Sequence, residues 1–248
     1  MPPNYKIVLM GFHQLICDIL RYVEADTTSE VVAVVPQRSE KEVRWYDDIE
    51  KVAKEYRVPI ATDEDLQRME FDILLCVDYH HILKKEIFQL AKVGSFNIHG
   101  SLLPKYRGVA PYIRAVCNGE KKVGVTLHEI DEGVDTGDVV AQRSFEVDEF
   151  DTIEDVIMNH TKFGLECFKE FLNSIRYNDK QGNYHYPKEK QPEGELWQNW
   201  KYEEDGELNL SGSAKDFFNK VRMLNYPFPR AYIRGNDGKK IYIVLERE

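Results

Sequence analysis

Short apolar runs alternate with amphipathic stretches through the first hundred residues of the chain. The runs have the length and the branched side chains of buried strands. They lie at residues 5–10, 31–35 and 71–77, with a weaker candidate at 58–61, and residues 94–99 are predicted as a further strand. Helical spacing of apolar residues is found at 14–23 and 84–92, and a polar helical stretch runs from 45 to 56. This alternation predicts an α/β, Rossmann-like fold with a doubly wound, mostly parallel sheet, in which ligands bind beyond the carboxyl ends of the strands.

The pattern changes after residue 120. Residues 122–130 and 139–147 predict two more strands around the acidic, glycine-rich loop DEGVDTG, and an apolar stripe at 153–172 predicts a long helix. His160 lies on that stripe, which favours a structural role for it. We therefore expect a catalytic domain at 1–176.

Two smaller units are expected after this domain. Residues 177–204 are polar and form a predicted surface linker, although Trp197 and Trp200 indicate that it packs on the domain. Residues 205–248 predict a small extension, with a helix capped by Ser213 and a β-hairpin turning at 236–238. Because a lone hairpin is marginal in water, we expect it to pack on the domain or on another subunit, and we predict a homodimer.

Composition and charge limit the classes of protein. With 248 residues the chain can bury one sizeable core. No stretch approaches the roughly 20 apolar residues of a membrane helix, and the N-terminus lacks a convincing secretory signal, so we expect a cytoplasmic protein with no membrane partner. A formal net charge of −10 disfavours nucleic acid as a partner. The four cysteines show no CxxC spacing, which favours buried thiols over zinc or a redox pair.

Two nucleotide-binding signatures are missing from the sequence. Only Gly11 follows the first predicted strand, where a dinucleotide fold would carry GxGxxG, and no GxxxxGK[ST] loop occurs. A nicotinamide or flavin cofactor and nucleotide hydrolysis are therefore disfavoured.

Polar groups suited to catalysis end the strand in FNIHGSLLPKYRG. Because side chains alternate along a strand, Asn97 and His99 project on the same side, about 7 Å apart. An amide donor can stabilise a developing oxyanion, and an imidazole can manage the proton that an attacking amine loses. The spacing alone is weak, since a single histidine is more often structural, but the irregular stretch after the strand is suited to forming a pocket wall. We expect acyl transfer to an amine.

FNIHGSLLPKYRGVAP, followed by HEIDEGVDTGDVV, resembles the folate-dependent formyltransferases, which include methionyl-tRNA formyltransferase and the sugar N-formyltransferases. The resemblance covers about the first 175 residues. It implies a catalytic trio of Asn97, His99 and Asp135, and N10-formyltetrahydrofolate as the formyl donor. It also implies that the folate contacts two loops. One comprises Ser101, Leu102, Leu103 and Pro104, and the other runs from His80 through His81 and Ile82 to Leu83.

Metal binding is the alternative for two parts of this region. The acidic loop contains Asp131, Glu132, Asp135 and Asp138, but it does not follow the calcium pattern DxDxDG with its distal glutamate. His80 and His81 are adjacent, so in an extended segment their side chains point in opposite directions. We expect no metal site.

The acceptor amine is predicted from the end of the chain. Residues 205–248 carry eight basic and six acidic residues, which is little positive charge for a tRNA-binding domain. Their short layout resembles the sugar N-formyltransferases and implies a nucleotide-linked amino sugar, most simply dTDP-linked, used for surface polysaccharides such as O-antigen. Tyr226 or Phe228 could stack on the base, and Lys105 or Arg107 could meet the pyrophosphate. For each, a core or solvated role is equally compatible.

Three other functions stay open at this point. A methionyl-tRNA formyltransferase-like enzyme and a catalytically silent folate-binding module would share the fold. Hydrolysis of formyl-folate would use water at the same site in place of the amine.

Overall fold

The computed structural model describes residues 4–12, 14–37, 46–79, 81–178 and 184–245. The elements are, in chain order, β1 (Tyr5–Gly11), α1 (Gln14–Glu24), β2 (Ser29–Pro36), α2 (Ile49–Glu55), α3 (Asp63–Leu66), β3 (Ile73–Val77), α4 (Lys85–Phe88), β4 (Gly94–His99), β5 (Arg107–Gly108), α5 (Pro111–Cys117), β6 (Lys122–Glu129), β7 (Val139–Glu146), α6 (Ile153–Asn178), β8 (Leu196–Trp197), α7 (Tyr202–Asp205), α8 (Ala214–Met223), β9 (Tyr232–Arg234) and β10 (Lys240–Tyr242).

A six-stranded sheet in the order β2-β1-β3-β4-β6-β7 organises the molecule. The first four of these strands pair in parallel, whereas β6 runs antiparallel to β4 and β7 antiparallel to β6. The four parallel strands are connected through helical segments, and the last two form a hairpin around the loop at 130–138. The predicted α/β, mostly parallel fold is confirmed, and its mixed edge follows from that hairpin.

Both faces of the parallel strands are buried. Along β1, Ile7 and Leu9 join the apolar cluster that α1 and α6 cover. Val8 and Met10 point the other way, into a second cluster with Phe71. Side chains of alternate residues leave opposite faces of a strand, so a strand that is apolar at every position requires cover on both sides. This explains why the short apolar runs were visible in the sequence.

Weakly patterned segments differ from the sequence predictions. The helix expected at 45–56 occupies Ile49–Glu55 within the described residues, with Asp48 as its cap. The candidate strand at 58–61 forms one isolated bridge, from Ile60 to Val34. The helix expected at 84–92 is limited to Lys85–Phe88. In these segments, backbone pairing and capping determine where the helix or strand begins and ends more than apolar periodicity does.

The long helix α6 agrees with its predicted stripe. His160 is buried, with 1% of its surface exposed, and its ring lies 5.8 Å from that of Tyr112. Burial lowers the pKa of His160 to about 3. The ring is therefore neutral at physiological pH, as a packed core residue should be.

The C-terminal helix and hairpin pack on the rest of the chain. In the helix α8, Val221 and Met223 join a cluster with residues of α5 and α6. Arg222 is buried, and its Nη1 donates to the carbonyls of Asp148 and Asp151, at 2.6 and 2.7 Å. The expected helix-plus-hairpin extension is thus present, and it is held by both apolar and polar contacts. Among the described residues, no helix combines the length and the apolar character needed to cross a membrane.

Candidate active site

The register of three neighbouring strands brings polar side chains together at the edge of the sheet. Asn97 on β4 pairs with Cys76 on β3 on one side and with His128 on β6 on the other. Paired residues in a sheet point to the same face. His99, two residues beyond Asn97, lies on that face as well, so an amide and two imidazoles line one stretch of the sheet.

Asp135 reaches this group from the loop between β6 and β7. Its Oδ1 accepts from Nδ2 of Asn97 at 3.3 Å and lies 3.4 Å from Nε2 of His128. Its Oδ2 accepts from the backbone N–H of Gly108 at 2.8 Å and lies 3.5 Å from Nδ1 of His99. Asp135 therefore contacts the other two residues of the predicted trio, and His128 as a fourth member.

Backbone carbonyls fix the orientation of both imidazole rings. Nε2 of His99 lies 2.9 Å from the carbonyl oxygen of Tyr106, and Nδ1 of His128 lies 2.7 Å from that of Glu129. Because a carbonyl can only accept, we assign a hydrogen to each of these nitrogens. In a neutral His99, the lone pair on Nδ1 then faces Asp135. In a neutral His128, Nε2 accepts from Nδ2 of Asn97, 3.2 Å away.

The carboxylate and the imidazole have different protonation preferences. Burial opposes ionisation of Asp135, yet attraction to the His99 and His128 rings and the hydrogen bond from the Gly108 amide hold its pKa well below the ordinary value. Burial lowers the pKa of His99, and attraction to Asp135 offsets this only in part. Since His99 is only 7% exposed, burial outweighs the attraction. The site at neutral pH is an ionised carboxylate beside a neutral imidazole, able to take up a proton.

A cavity of about 810 Å³ opens in front of these residues. This volume lies within the range of small-molecule sites. Its wall includes Asn97, His99, His128 and Asp135. Aromatic and proline side chains from distant parts of the chain also line it, namely Phe12, Tyr46, Tyr79, Pro111, Tyr112, Pro227, Phe228 and Pro229.

Among the described residues, only one of the two loops expected to bind folate lines the cavity. His81, Ile82 and Leu83 line the cavity, and Ile82 is 85% exposed. His80 lies outside the described residues.

The second predicted folate loop, Ser101, Leu102, Leu103 and Pro104, is not part of the cavity wall in the described structure. Its polar groups bond within the protein instead. The Ser101 hydroxyl donates to the carbonyl of Lys105 at 2.6 Å, and Thr126 Oγ1 accepts from the Leu103 N–H at 3.2 Å. The second of these bonds holds the loop against Thr126 of β6, which pairs with His99 at the end of β4.

Only one of the four residues predicted to bind the acceptor substrate lines the described cavity. Phe228 lines the cavity, whereas Tyr226, Lys105 and Arg107 do not belong to its described wall. Lys105 is exposed and pairs with Glu120 at 3.2 Å. The buried guanidinium of Arg107 donates to the side chain of Gln191.

The acidic loop before β7 is held by internal contacts. Asp131 Oδ1 accepts from the Gly133 N–H and from the Thr136 hydroxyl, at 3.0 and 2.6 Å. Glu132 forms an ion pair with Lys85, and Asp138 with Lys188. Within the described part of the chain, no group of three or more His, Cys, Asp and Glu side chains is arranged to hold a metal ion.

Among the polar residues of the cavity that sequence reasoning missed are His128 and Asp78. His128 opens the motif HEIDEGVDTG, but its place beside Asn97 depends on the pairing of β4 with β6. Asp78 directly follows β3, at the strand end where ligands were expected, and has a left-handed φ of 48°. Burial raises the pKa of Asp78 to about 7. The signal for Asp78 was its position after the strongest apolar run.

Comparison with known proteins agrees with this geometry. The family model described as formyl transferase matches residues 7–172. The chain belongs to the formyl transferase family. It is 33% identical over 246 residues to the methionyl-tRNA formyltransferase of Clostridioides difficile (strain 630), covering 94% of this chain and 77% of that enzyme. The sequence resemblance to formyltransferases is therefore confirmed.

Solved structures of the family include enzymes that act on sugars. WlaRD, a sugar 3N-formyl transferase solved with dTDP and 5-N-formyl-THF, matches with a TM-score of 0.74 and 27% identity over 91% of this chain and 82% of its own. The N-formyltransferase of Helicobacter canadensis, solved with folinic acid and dTDP-3-aminofucose, matches with a TM-score of 0.72 and 26% identity, over 88% and 80%. Sequence relatives and structural neighbours of the family thus point to different acceptors.

Proposed function

We propose that this formyltransferase moves the formyl group of N10-formyltetrahydrofolate to the amino group of a nucleotide-linked amino sugar, with dTDP as the nucleotide. The observation that carries the proposal is the convergence of Asn97, His99 and Asp135 on the wall of a cavity of about 810 Å³. Folate-like ligands in WlaRD and in the H. canadensis enzyme support the donor.

The chemistry assigns a separate task to each member of the trio. The amine nitrogen attacks the formyl carbon, and a carbon–nitrogen bond forms while the formyl oxygen becomes an oxyanion. For the side-chain amide of Asn97 to donate to this oxyanion, one of its N–H groups exchanges its resting acceptor, Asp135 or His128, for the oxyanion. The proton that the amine loses is taken by the His99–Asp135 pair, because the ionised carboxylate stabilises an imidazolium. The bond from the formyl carbon to N10 then breaks, N10 receives a proton, and an N-formyl amide and tetrahydrofolate are released.

A nucleotide sugar is favoured as the acceptor by the cavity and by the charge of the chain. Phe228 is the residue that we assign to stacking on the base, since its ring lines the cavity. Lys105 and Arg107 are left out of the proposed pocket, because their side chains are engaged elsewhere in the protein. A net charge of −10 favours a small acceptor over a polyanion. The product would be a precursor of a surface polysaccharide.

Methionyl-tRNA is the second candidate acceptor. It is supported by the 33% identity to the C. difficile methionyl-tRNA formyltransferase across 94% of this chain.

A direct comparison of acceptors tests the proposal. The purified protein is incubated with N10-formyltetrahydrofolate and one of dTDP-3-aminofucose, a dTDP-4-amino sugar, a UDP-amino sugar or initiator methionyl-tRNA. We expect mass spectrometry to detect a formyl group on a dTDP-amino sugar, and we expect Asp135→Asn to slow its appearance strongly while leaving a measurable residual rate. Formylation of the tRNA alone would contradict the acceptor assignment. Formate release at full rate without any amine would indicate a hydrolase, and inactivity with every acceptor would contradict the catalytic proposal.

The quaternary structure belongs to the same proposal. We propose a homodimer that uses the terminal hairpin, where Ile241 and Tyr242 are 53% and 54% exposed. Such side chains on a short edge are suited to packing against a second copy. Light scattering after size exclusion should give twice the monomer mass, and Ile241→Asp should halve it. A monomer at micromolar concentration would contradict this proposal.

A further inference from the structure

The segment 184–200 contacts two parts of the chain. One is the acidic loop that contains Asp135, and the other is the strand β5, in which the Gly108 amide binds the Asp135 carboxylate. Glu189 and Val139 exchange backbone hydrogen bonds of 2.7 and 2.8 Å just after the acidic loop. Further on, β8 pairs in parallel with β5, and the N–H of Val109 donates to the carbonyl of Trp197 at 2.9 Å. We call residues 184–200 the crossing segment. Its path links the acidic loop to the strand that contains Gly108.

Gln191 in the crossing segment contacts the acidic loop at two points. Its Nε2 donates to the backbone carbonyl of Asp135 at 3.0 Å and to that of Gly137 at 2.6 Å. Its Oε1 accepts from Nε and Nη2 of Arg107, at 3.1 and 2.7 Å. Because Arg107 can only donate, it fixes which end of the amide faces the carbonyls. Both the oxygen and the nitrogen of the Gln191 side-chain amide therefore have defined hydrogen-bond partners.

Asp135 needs such support because of its backbone. Its φ of 53° lies in the left-handed region, which a residue with a Cβ enters only at an energetic cost. A residue in this region persists when surrounding contacts hold it there. The Gly108 N–H binds the carboxylate of Asp135, and the Gln191 side-chain amide binds its backbone carbonyl. Arg107 connects these two supports, because it precedes Gly108 in β5 and binds the side chain of Gln191.

We propose that Gln191 is a positioning residue for the carboxylate of Asp135, and that Arg107 orients the Gln191 amide for this purpose. The inference rests on the catalytic role of Asp135 under the proposed function. It assigns to the crossing segment a part in catalysis, and it gives Arg107 a task other than binding pyrophosphate.

Gln191→Glu is the sharpest single change. The carboxylate keeps the size of the side chain and can still accept from Arg107, but it cannot donate to the carbonyls of Asp135 and Gly137. We expect kcat to fall by about ten- to a hundredfold, since small displacements of a catalytic group have effects of this order. The KM for N10-formyltetrahydrofolate should stay within about twofold. Gln67→Glu, the same change at an exposed position after α3, should leave both parameters unchanged.

A double-variant comparison tests whether Gln191 acts through Asp135. Formyl transfer to dTDP-3-aminofucose, or to whichever acceptor the panel identifies, is followed in single turnovers. If the inference is correct, Gln191→Glu slows the wild-type enzyme but has no further effect on the residual rate of Asp135→Asn. An equal slowing in both backgrounds would overturn it, as would a kcat within twofold of wild type. Full activity of Asp135→Asn alone would instead remove the proposed function, and the inference with it.

Folding is controlled separately. Gln191→Met, which is neutral and similar in size, removes the same donor without adding a charge. If Gln191→Glu does not fold, as judged by circular dichroism and thermal melting, the same comparison is made with Gln191→Met. The expected and overturning results are then those stated for Gln191→Glu.

Discussion

The polar groups around Asp135 are divided between its two carboxylate oxygens. Oδ1 faces Asn97 and His128, whereas Oδ2 faces His99 and the Gly108 amide. The carboxylate is therefore held from two sides in a buried place, where electrostatic interactions are stronger than in water. A substitution at any of these neighbours should change catalysis more than it changes donor binding.

His128 allows this to be tested outside the predicted trio. His128→Leu removes the acceptor that meets the Asn97 amide and leaves that amide without one of its fixed partners. We expect kcat to fall by about tenfold or more, with the donor KM nearly unchanged. His128→Gln, which restores a polar atom at similar reach, should recover part of the activity. Steady-state kinetics of the two variants provide the measurement, and equal activity of His128→Leu and wild type would contradict the role.

Asp78 gives a pH-dependent effect on stability. Burial raises its pKa from 3.8 to about 7, so the folded state binds a proton that the unfolded state releases between these values. Stability contributed by the protonated form is fully present below about pH 4 and is lost as the pH rises through 7. Asp78→Asn removes this loss.

The Asp78→Asn variant should therefore be more stable than wild type at pH 8, and the two should converge towards pH 4. Urea unfolding at pH 4.5, 6 and 8 measures the difference. A difference in the free energy of unfolding that does not vary with pH would contradict a raised pKa of Asp78. A variant less stable than wild type at pH 8 would contradict the direction of the shift.

At the scale of elements, close backbone contact between β5 and β8 shapes the site. Gly108 has a φ of 94°, and a Cβ there would lie 2.3 Å from the carbonyl oxygen of Trp197. The neighbouring tryptophan rings are held by Arg114, whose guanidinium lies 4.8 Å from the ring centre of Trp197 and 4.9 Å from that of Trp200. A glycine is therefore required where the crossing segment meets the strand that supports Asp135.

Gly108→Ala and Gly119→Ala form a matched pair. Both glycines have a positive φ, but a Cβ on Gly119 would meet no atom within 4 Å. Gly119→Ala should therefore lower the free energy of unfolding by about 1 to 2 kcal/mol, the cost of the backbone conformation alone. Gly108→Ala should cost more, and it should also lower kcat, because the amide that donates to Asp135 is displaced. Denaturant unfolding and enzyme kinetics of both variants separate the effects on stability and on catalysis. An equal loss of unfolding free energy in the two variants would contradict the predicted clash between a Cβ at position 108 and the Trp197 carbonyl.

Elements with strong local patterns could be predicted from the sequence, and those defined by distant contacts could not. The strands β1, β2 and β3 are apolar enough to be recognised alone. The helix α5 follows Ala110, which has a φ of 54° and provides no side-chain cap, so Pro111 was its main local signal. The two-residue strands β5 and β8 exist only through their pairing across 89 positions, from Arg107 to Leu196. The same distinction holds in the site, where alternation predicted Asn97 and His99 but Gln191 depends on long-range folding.

At the scale of the whole molecule, charge and cavity bear on the choice of acceptor. The chain carries a formal net charge of −10, and a tRNA would have to approach it against this field. Binding of a polyanion through many phosphates weakens steeply with salt, because each contact releases counterions. A nucleotide diphosphate sugar carries few phosphates, and its binding depends on stacking and hydrogen bonds within the cavity.

Salt dependence therefore discriminates the two acceptors independently of product analysis. For a dTDP-amino sugar, kcat/KM should fall by less than about tenfold between 50 and 200 mM NaCl, because only two phosphates contribute. Recognition of tRNA through six or more phosphates would lose about a thousandfold over the same range. Phe228→Ala should raise the KM of the nucleotide sugar by about tenfold, in line with the loss of one stacked ring. Its exposed counterpart Phe150→Ala, at a position that is 66% exposed and outside the cavity wall of the described structure, should not. A steep salt response, together with an unchanged KM in Phe228→Ala, would favour the tRNA.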